Sequence, residues 1–240
     1  MTIAHLDAAV HDRASRSLGR AHDRIHRTAA RLLEARGAGG TLLDAGCGTG
    51  ELWRLVSAKF SACTGVDAVR YPGLPSDVAF IAANLDGALP LEDESVDTAA
   101  AIEVIEHLEN PRAFVRELVR VTKPGGWIVL TTPNQLSVLS LLSLVLKGAF
   151  VAFQDRDYPA HRTALLEIDL RRIAAEAGLD DVAVEYTRWG RLPLTPWHYP
   201  GAIAALAPRR LSDNVAIIGR RASAASEPHE RSGALGGPRE

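Results

Sequence analysis

Four side chains in this sequence have the types and spacing for acid–base or metal chemistry. Glu103, Glu106 and His107 stand at i, i+3 and i+4, which puts them on one face if the segment is helical. His161 could join them from a later loop. Carboxylate oxygens and imidazole nitrogens gathered in this way could bind a divalent cation, Mg²⁺ among them. They could instead supply a general base, His107 or His161, because imidazole titrates near neutral pH and can take a proton from an acceptor hydroxyl. A third reading needs no chemistry: Glu106 and His107 brace a helix and His161 is a loop residue. The pattern leaves all three open.

A second set of residues points to a cofactor. Leu42-Leu43-Asp44-Ala45-Gly46-Cys47-Gly48-Thr49-Gly50 reads as a buried strand running into a glycine turn, with a helix from about Glu51. Such a turn lets a ligand approach the backbone beyond the carboxyl end of a strand. The dinucleotide fingerprint is G-x-G-x-x-G. Here the spacing is G-x-G-x-G with Asp44 two residues ahead. That carboxylate would repel a pyrophosphate and attract a cationic amino-acid moiety, such as the ammonium and sulfonium of S-adenosylmethionine. Asp67 follows the short apolar run 63–66 and stands 21 residues beyond Gly46. An acidic residue about 20 residues on is expected to bind ribose hydroxyls. Cys47 reads as a small packing residue within the cofactor turn, not a nucleophile.

The elements that must position these residues follow an alternating α/β pattern. At 240 residues with 47% apolar content, the chain is long enough for one large domain with small additions. A net charge of −2 leaves no electrostatic footprint for non-specific nucleic-acid binding. The two cysteines make neither a disulfide framework nor a metal-ligand pattern and fit a reducing cytosol. The first residues carry no signal-peptide pattern, so a cytoplasmic location is expected. Residues 5–36 read as one or two amphipathic helices with a break at Gly19, forming a helical cap over 1–40. His5, His11, His22 and His26 are placed on its solvated face. The main domain is expected over 41–221, with strands at 41–45, 63–66, 78–82, 97–102, 127–131, 182–186 and 214–219. Breakers at 71–75 shorten the second crossover. Asn110 and Pro111 start a helix, and Gly178 ends another. Residues 136–153 read as one apolar helix within a lid or insertion, 136–164. The aromatic and proline-rich stretch 189–200 could line a substrate pocket or act as a cover. Residues 222–240 lack the composition for a core and read as a disordered tail.

The block Asp44-Ala45-Gly46-Cys47-Gly48-Thr49-Gly50 resembles motif I of the class I S-adenosylmethionine-dependent methyltransferases. Leu89-Pro90-Leu91-Glu92-Asp93-Glu94-Ser95-Val96-Asp97 resembles that family's lead-in to its fourth strand. Lys123-Pro124-Gly125-Gly126 before a strand and Thr132-Pro133-Asn134 after it are similar to its small-molecule members. The resemblance covers about 41–134. It implies a Rossmann-like, doubly wound, seven-stranded and mostly parallel sheet, with the seventh strand antiparallel. It also implies S-adenosylmethionine as cofactor: Asp44, Gly46, Cys47, Gly48 and Gly50 at the methionine end, Asp67 on the ribose, and Asn84 with Leu85 at the adenine. Glu103 would face the methionyl or substrate side. The implied activity is methyl transfer, at oxygen, to a small-molecule or lipid-like acceptor.

The ubiquinone-type O-methyltransferases, which the chain broadly resembles, carry a membrane-contacting insertion after the fifth strand. Residues 136–153 could therefore be a lid or a peripheral contact with the inner face of a membrane. The Glu-x-x-Glu-His element with a distant His is also similar to that of small-RNA 3′-end 2′-O-methyltransferases, where a metal orients ribose hydroxyls. A metal-assisted RNA-end enzyme and a non-catalytic cofactor-binding module are the alternatives.

Overall fold

The structure is a computed structural model and describes Gly19 and residues 21–223. His5 and His11, most of the first expected helix and nearly all of the expected tail lie outside the described residues. The elements are α1 (Asp23–Ala35), β1 (Gly40–Ala45), α2 (Glu51–Val56), β2 (Phe60–Asp67), β3 (Val78–Ala82), β4 (Val96–Ile102), α3 (Pro111–Val121), β5 (Thr122–Pro133), α4 (Val138–Lys147), α5 (Glu167–Glu176), β6 (Leu179–Tyr186), α6 (Gly201–Leu206), α7 (Pro208–Leu211) and β7 (Asn214–Arg221).

The seven strands form one sheet in the order β3-β2-β1-β4-β5-β7-β6. The first five pair in parallel, and β7 runs antiparallel between β5 and β6. The strand order reverses beside β1, so the ends of β1 and β4 open a crevice where α/β sheets bind ligands. Both faces are covered, and the central strands are accordingly rich in buried apolar residues, with Asp44 and several threonines among them. Leu43, Ala99, Ala101, Ile128 and Ile217 pack against α3 and α5 on one side. Leu42, Ala100, Val129 and Ile218 pack against Ile25, Ala29 and Leu33 of α1 on the other. At α3, Asn110 accepts a hydrogen bond from Ala113 N at 3.0 Å, with Pro111 in the first turn.

Three local expectations are corrected. The segment 103–109 is not an α-helix: Glu103 has φ +54° and Ile105–His107 is a single 3₁₀ turn. The helical face that the spacing suggests is therefore not formed, although Glu106 and His107 still come together. The apolar stretch 136–153 is not one helix, because α4 is ten residues long. Ser137 caps its start by accepting from Ser140 N, and Gly148 ends it with φ +76°. No helix among the described residues is long and apolar enough to cross a membrane. Finally, His26 is buried, 7% exposed, and turns inward with Ile25 and Ala29; it is not on the solvated face of α1.

Candidate functional site

A cavity of about 500 Å³ lies at the carboxyl ends of β1–β4. The sheet builds its floor from residues at strand ends: Gly46 and Cys47 after β1, Asp67 and Ala68 after β2, Asn84 to Asp86 after β3, and Ile102 to Val104 after β4. The start of α1 covers one side through His22, Ile25 and His26. The segment 156–161 closes the other.

The glycine turn is held in a shape that side chains resist. Gly46, Gly48 and Gly50 have φ of +80°, +49° and +78°. A Cβ on Gly48 would strike the carbonyl oxygen of Gly19, which itself accepts a hydrogen bond from Thr49 N at 3.1 Å. The segment ahead of α1 is thereby tied to the turn. Gly48 N donates to Asp67 Oδ2 at 3.0 Å, so the turn and the end of β2 form one unit.

Carboxylates crowd this end of the cavity. Asp44 is 3% exposed and lies beneath the turn without lining the cavity. Burial, with Asp67 and Glu51 adding their charge, pushes its carboxyl up to about 7. Burial also raises Asp67, while the N–H groups of Gly48, Val69 and Ala68 hold it down. Three acidic groups around a glycine turn favour a ligand with positive charge and disfavour a phosphate. Asn84 and Leu85 both line the cavity, as the sequence suggests. The side-chain Oδ1 of Asn84 accepts from Asp86 N at 3.1 Å, which shapes the turn after β3.

The structure brings together three of the four residues of the glutamate–histidine set. Donor atoms of Glu106, His107 and His161 lie within 4.8 Å of one another. Glu106 is 1% exposed, and neither carboxylate oxygen reaches a hydrogen-bond partner. Burial raises its pKa; its own N–H and Thr132 pull weakly the other way without meeting hydrogen-bond geometry. His107 Nδ1 faces the carbonyl of Ala160 at 2.8 Å, and His161 Nδ1 faces that of Ala152. Each Nδ1 therefore carries the proton, which leaves Nε2 as the basic nitrogen of each ring. The rings are 4.8 Å apart between centroids. Burial pushes His161 down, and His107 pushes it further.

Glu103 does not join this set. Thr131 Oγ1 donates to its Oε1 at 2.9 Å and Asn214 Nδ2 to its Oε2 at 2.7 Å. These bonds fasten the end of β4 to β5 and β7. Burial, and then Glu106, raise its pKa well above the usual value.

Sequence reasoning did not assign roles to several lining residues. Arg156, Asp157, Tyr158 and Pro159 reach the cavity because the loop is latched to the 3₁₀ turn: Arg162 N and Thr163 N donate to Glu106 O at 2.9 and 3.0 Å. Only the polar and aromatic mix of that loop hinted at this. The stretch 189–200 does not line the cavity. It stacks Trp189 on His198 at 4.0 Å, with Arg24 of α1 over the indole at 3.9 Å.

Comparison with known proteins is consistent with this geometry. A family model described as a methyltransferase domain matches residues 16–184. A ubiquinone biosynthesis O-methyltransferase of Chromobacterium violaceum is 28% identical over 158 residues, 59% of this chain and 65% of that protein. A probable S-adenosylmethionine-dependent methyltransferase of Mycobacterium tuberculosis is 32% identical over 171 residues, 67% of this chain and 56% of its own length. The chain thus spans less than two thirds of each of these two relatives. A methyltransferase from Archaeoglobus fulgidus shares the fold with a TM-score of 0.62 at 18% identity, over 86% of this chain and 97% of that one. A 1,6-didemethyltoxoflavin N1-methyltransferase from Burkholderia thailandensis, solved with S-adenosylhomocysteine, does so with a TM-score of 0.61 at 16% identity, over 92% of this chain and 94% of that one.

Proposed function

The chain belongs to the S-adenosylmethionine-dependent methyltransferase family, and on that premise we propose that it moves the cofactor's methyl group to an oxygen of a small-molecule or lipid-like acceptor. The observation that carries this reading is one cavity with an acidic glycine-turn end and a Glu106–His107–His161 end. Bound S-adenosylmethionine would supply an electrophilic methyl on a sulfonium. The chain's own residues do the rest. Asp67, with one oxygen on Gly48 N, keeps accepting capacity for ribose hydroxyls. Leu85 offers an apolar face and Asn84 a polar edge for the adenine. The turn at Gly46 lets the methionyl chain approach the backbone, and the field of Asp44 and Glu51 favours its ammonium. Enclosure by α1 and 156–161 excludes water and orients the acceptor, which is the main protein contribution to a direct displacement.

At the other end, His107 or His161 can take the acceptor's proton at Nε2. The same three side chains fit a divalent cation, since two imidazoles and a bare buried carboxylate form a mixed nitrogen–oxygen donor set. That set suits Mn²⁺, Fe²⁺, Co²⁺ or Zn²⁺ better than Mg²⁺, which prefers oxygen ligands. Glu103, with both oxygens already engaged, is left out of it. The O-methyltransferase name of the Chromobacterium relative supports oxygen as the accepting atom. On the outside, α4 turns Ser140 and Ser143 inward and exposes Val145 and Leu146, 81% and 68% exposed. Such a face suits contact with a membrane surface from which a lipid-like acceptor is drawn.

The test is transfer of labelled methyl from S-adenosylmethionine to hydroxylated small molecules and a lipid extract, with added Mn²⁺, Zn²⁺ or chelator. Label in an alkali-stable ether, reduced at least tenfold by Glu106→Gln, supports the reading. Label on nitrogen, or no transfer under any condition, contradicts it.

A further inference from the structure

Among the described residues, six carboxylate side chains line the cavity, and Arg156 is its sole lysine or arginine. That guanidinium is idle. Its side chain is 72% exposed and its N–H groups make no hydrogen bond among the described residues. Asp157 does not use the fork: its Oδ1 stands 3.7 Å from Nε, beyond hydrogen-bond reach, and its Oδ2 accepts from Gln154 N at 3.0 Å. An exposed pair of that geometry contributes little. A planar fork of donors left open at the rim of a cavity suits a carboxylate, which it can hold in bidentate fashion.

The backbone fixes where that fork stands relative to the imidazoles. Arg156 lies in a single 3₁₀ turn, Asp155–Asp157. His161 N donates to Asp157 O at 2.9 Å, so Arg156 and His161 ride on one short, internally bonded segment. Ala160 O meets His107 Nδ1 at 2.8 Å, and Arg162 N and Thr163 N hold Glu106 O. Between Arg156 and His161 in sequence, Tyr158 lines the cavity and is 70% exposed, offering a ring face to a ligand.

This deepens the proposed function and rests on it. S-adenosylmethionine carries a net positive charge, which offsets the carboxylates at the glycine-turn end. An anionic group on the acceptor finds its permanent counter-charge only at Arg156 among the described residues. We propose that the acceptor is a hydroxylated aromatic acid: its carboxylate pairs with Arg156, its ring lies on Tyr158, and its hydroxyl reaches Nε2 of His107 or His161. Arg156 is then a specificity-determining residue with no part in the displacement itself.

Calorimetry on the protein saturated with S-adenosylhomocysteine tests this. The probes are para-hydroxybenzoate, para-hydroxyphenylacetate and para-hydroxyphenylpropionate, each against its carboxamide, which keeps the ring and hydroxyl and lacks the charge. At least one acid is expected to bind at least tenfold more tightly than its amide, the scale of a charge-assisted bidentate pair. Arg156→Met keeps the apolar stem, removes the fork and should erase that preference by weakening the acid alone. Arg156→Lys, which keeps the charge and loses the fork, should recover part of it. Because the side chain is exposed, both variants should melt with the original protein and bind S-adenosylhomocysteine with unchanged affinity. No acid preferred over its amide, a preference that survives Arg156→Met, or weaker S-adenosylhomocysteine binding by that variant would overturn the inference. The last result would place Arg156 on the cofactor's own carboxylate. If the original protein does not bind S-adenosylhomocysteine, the cofactor reading itself fails, and this inference with it.

Discussion

At the scale of single residues, the site is built from charges that burial makes expensive. Asp44 is the clearest case. Its folded pKa of about 7 stands above its ordinary 3.8. Between those values the folded state holds a proton that the unfolded chain has released, so stability falls as pH rises from about 4 through 7. Asp44→Asn removes that slope. In the ligand-free protein the variant should gain roughly 4 kcal/mol over the original at pH 8, and little at pH 4, by urea denaturation at both values. It should also bind S-adenosylmethionine more weakly, since the field that favours the ammonium is gone. Asp97 runs the opposite way, held low by Lys123 and by Thr41. It opposes the trend only below the ordinary carboxylate range. Residue types and spacing made the acidic turn legible in the sequence. They could not show that Asp44 lies beneath the turn, or that His26 turns inward, because both depend on what α1 packs against.

At the scale of elements, the strap ahead of α1 and the glycine turn act as a unit. Gly48→Ala would put a methyl onto the Gly19 carbonyl, at a φ that alanine resists. The variant should lose at least 1 kcal/mol of stability and most of its cofactor affinity, by thermal melting and calorimetry. The 103–109 segment marks the limit of reading helices from spacing. Its i, i+3, i+4 pattern suggests a shared face, but the positive φ of Glu103 is fixed by Thr131 and Asn214, 28 and 111 residues away in sequence. The helix α4 shows the same limit differently. An apolar stretch cannot reveal that its serines face inward: Ser143 donates to Ala149 O at 2.8 Å and Ser140 to Gln135 Oε1 at 3.3 Å. Val145→Glu with Leu146→Glu touches only the exposed face. It should leave the melting temperature within about 2 °C and abolish co-sedimentation with anionic phospholipid vesicles if that face meets a membrane. Unchanged co-sedimentation, or none in the original protein, would remove α4 from that role.

At the scale of the molecule, the sheet order 3-2-1-4-5-7-6 gathers residues from four strand ends into one crevice. That architecture was legible because alternating apolar runs and glycine or proline breaks survive in a single sequence. The two short helices α6 and α7 and the Trp189–His198 stack were not, since short elements are settled by tertiary contacts. On the proposed reading the acceptor end is the Glu106–His107–His161 end, where a residue of a late loop meets two from the turn after β4, and specificity resides there. In the proposed function the crevice is a cofactor site with Asp67 on the ribose. The decisive measurement is calorimetric titration of S-adenosylmethionine into the original protein and into Asp67→Ala. Saturable, one-to-one, micromolar binding is expected, weakened at least tenfold in the variant by the loss of charge-assisted hydrogen bonds to the ribose. No heat with the original protein, or equal affinity in the variant, would contradict it.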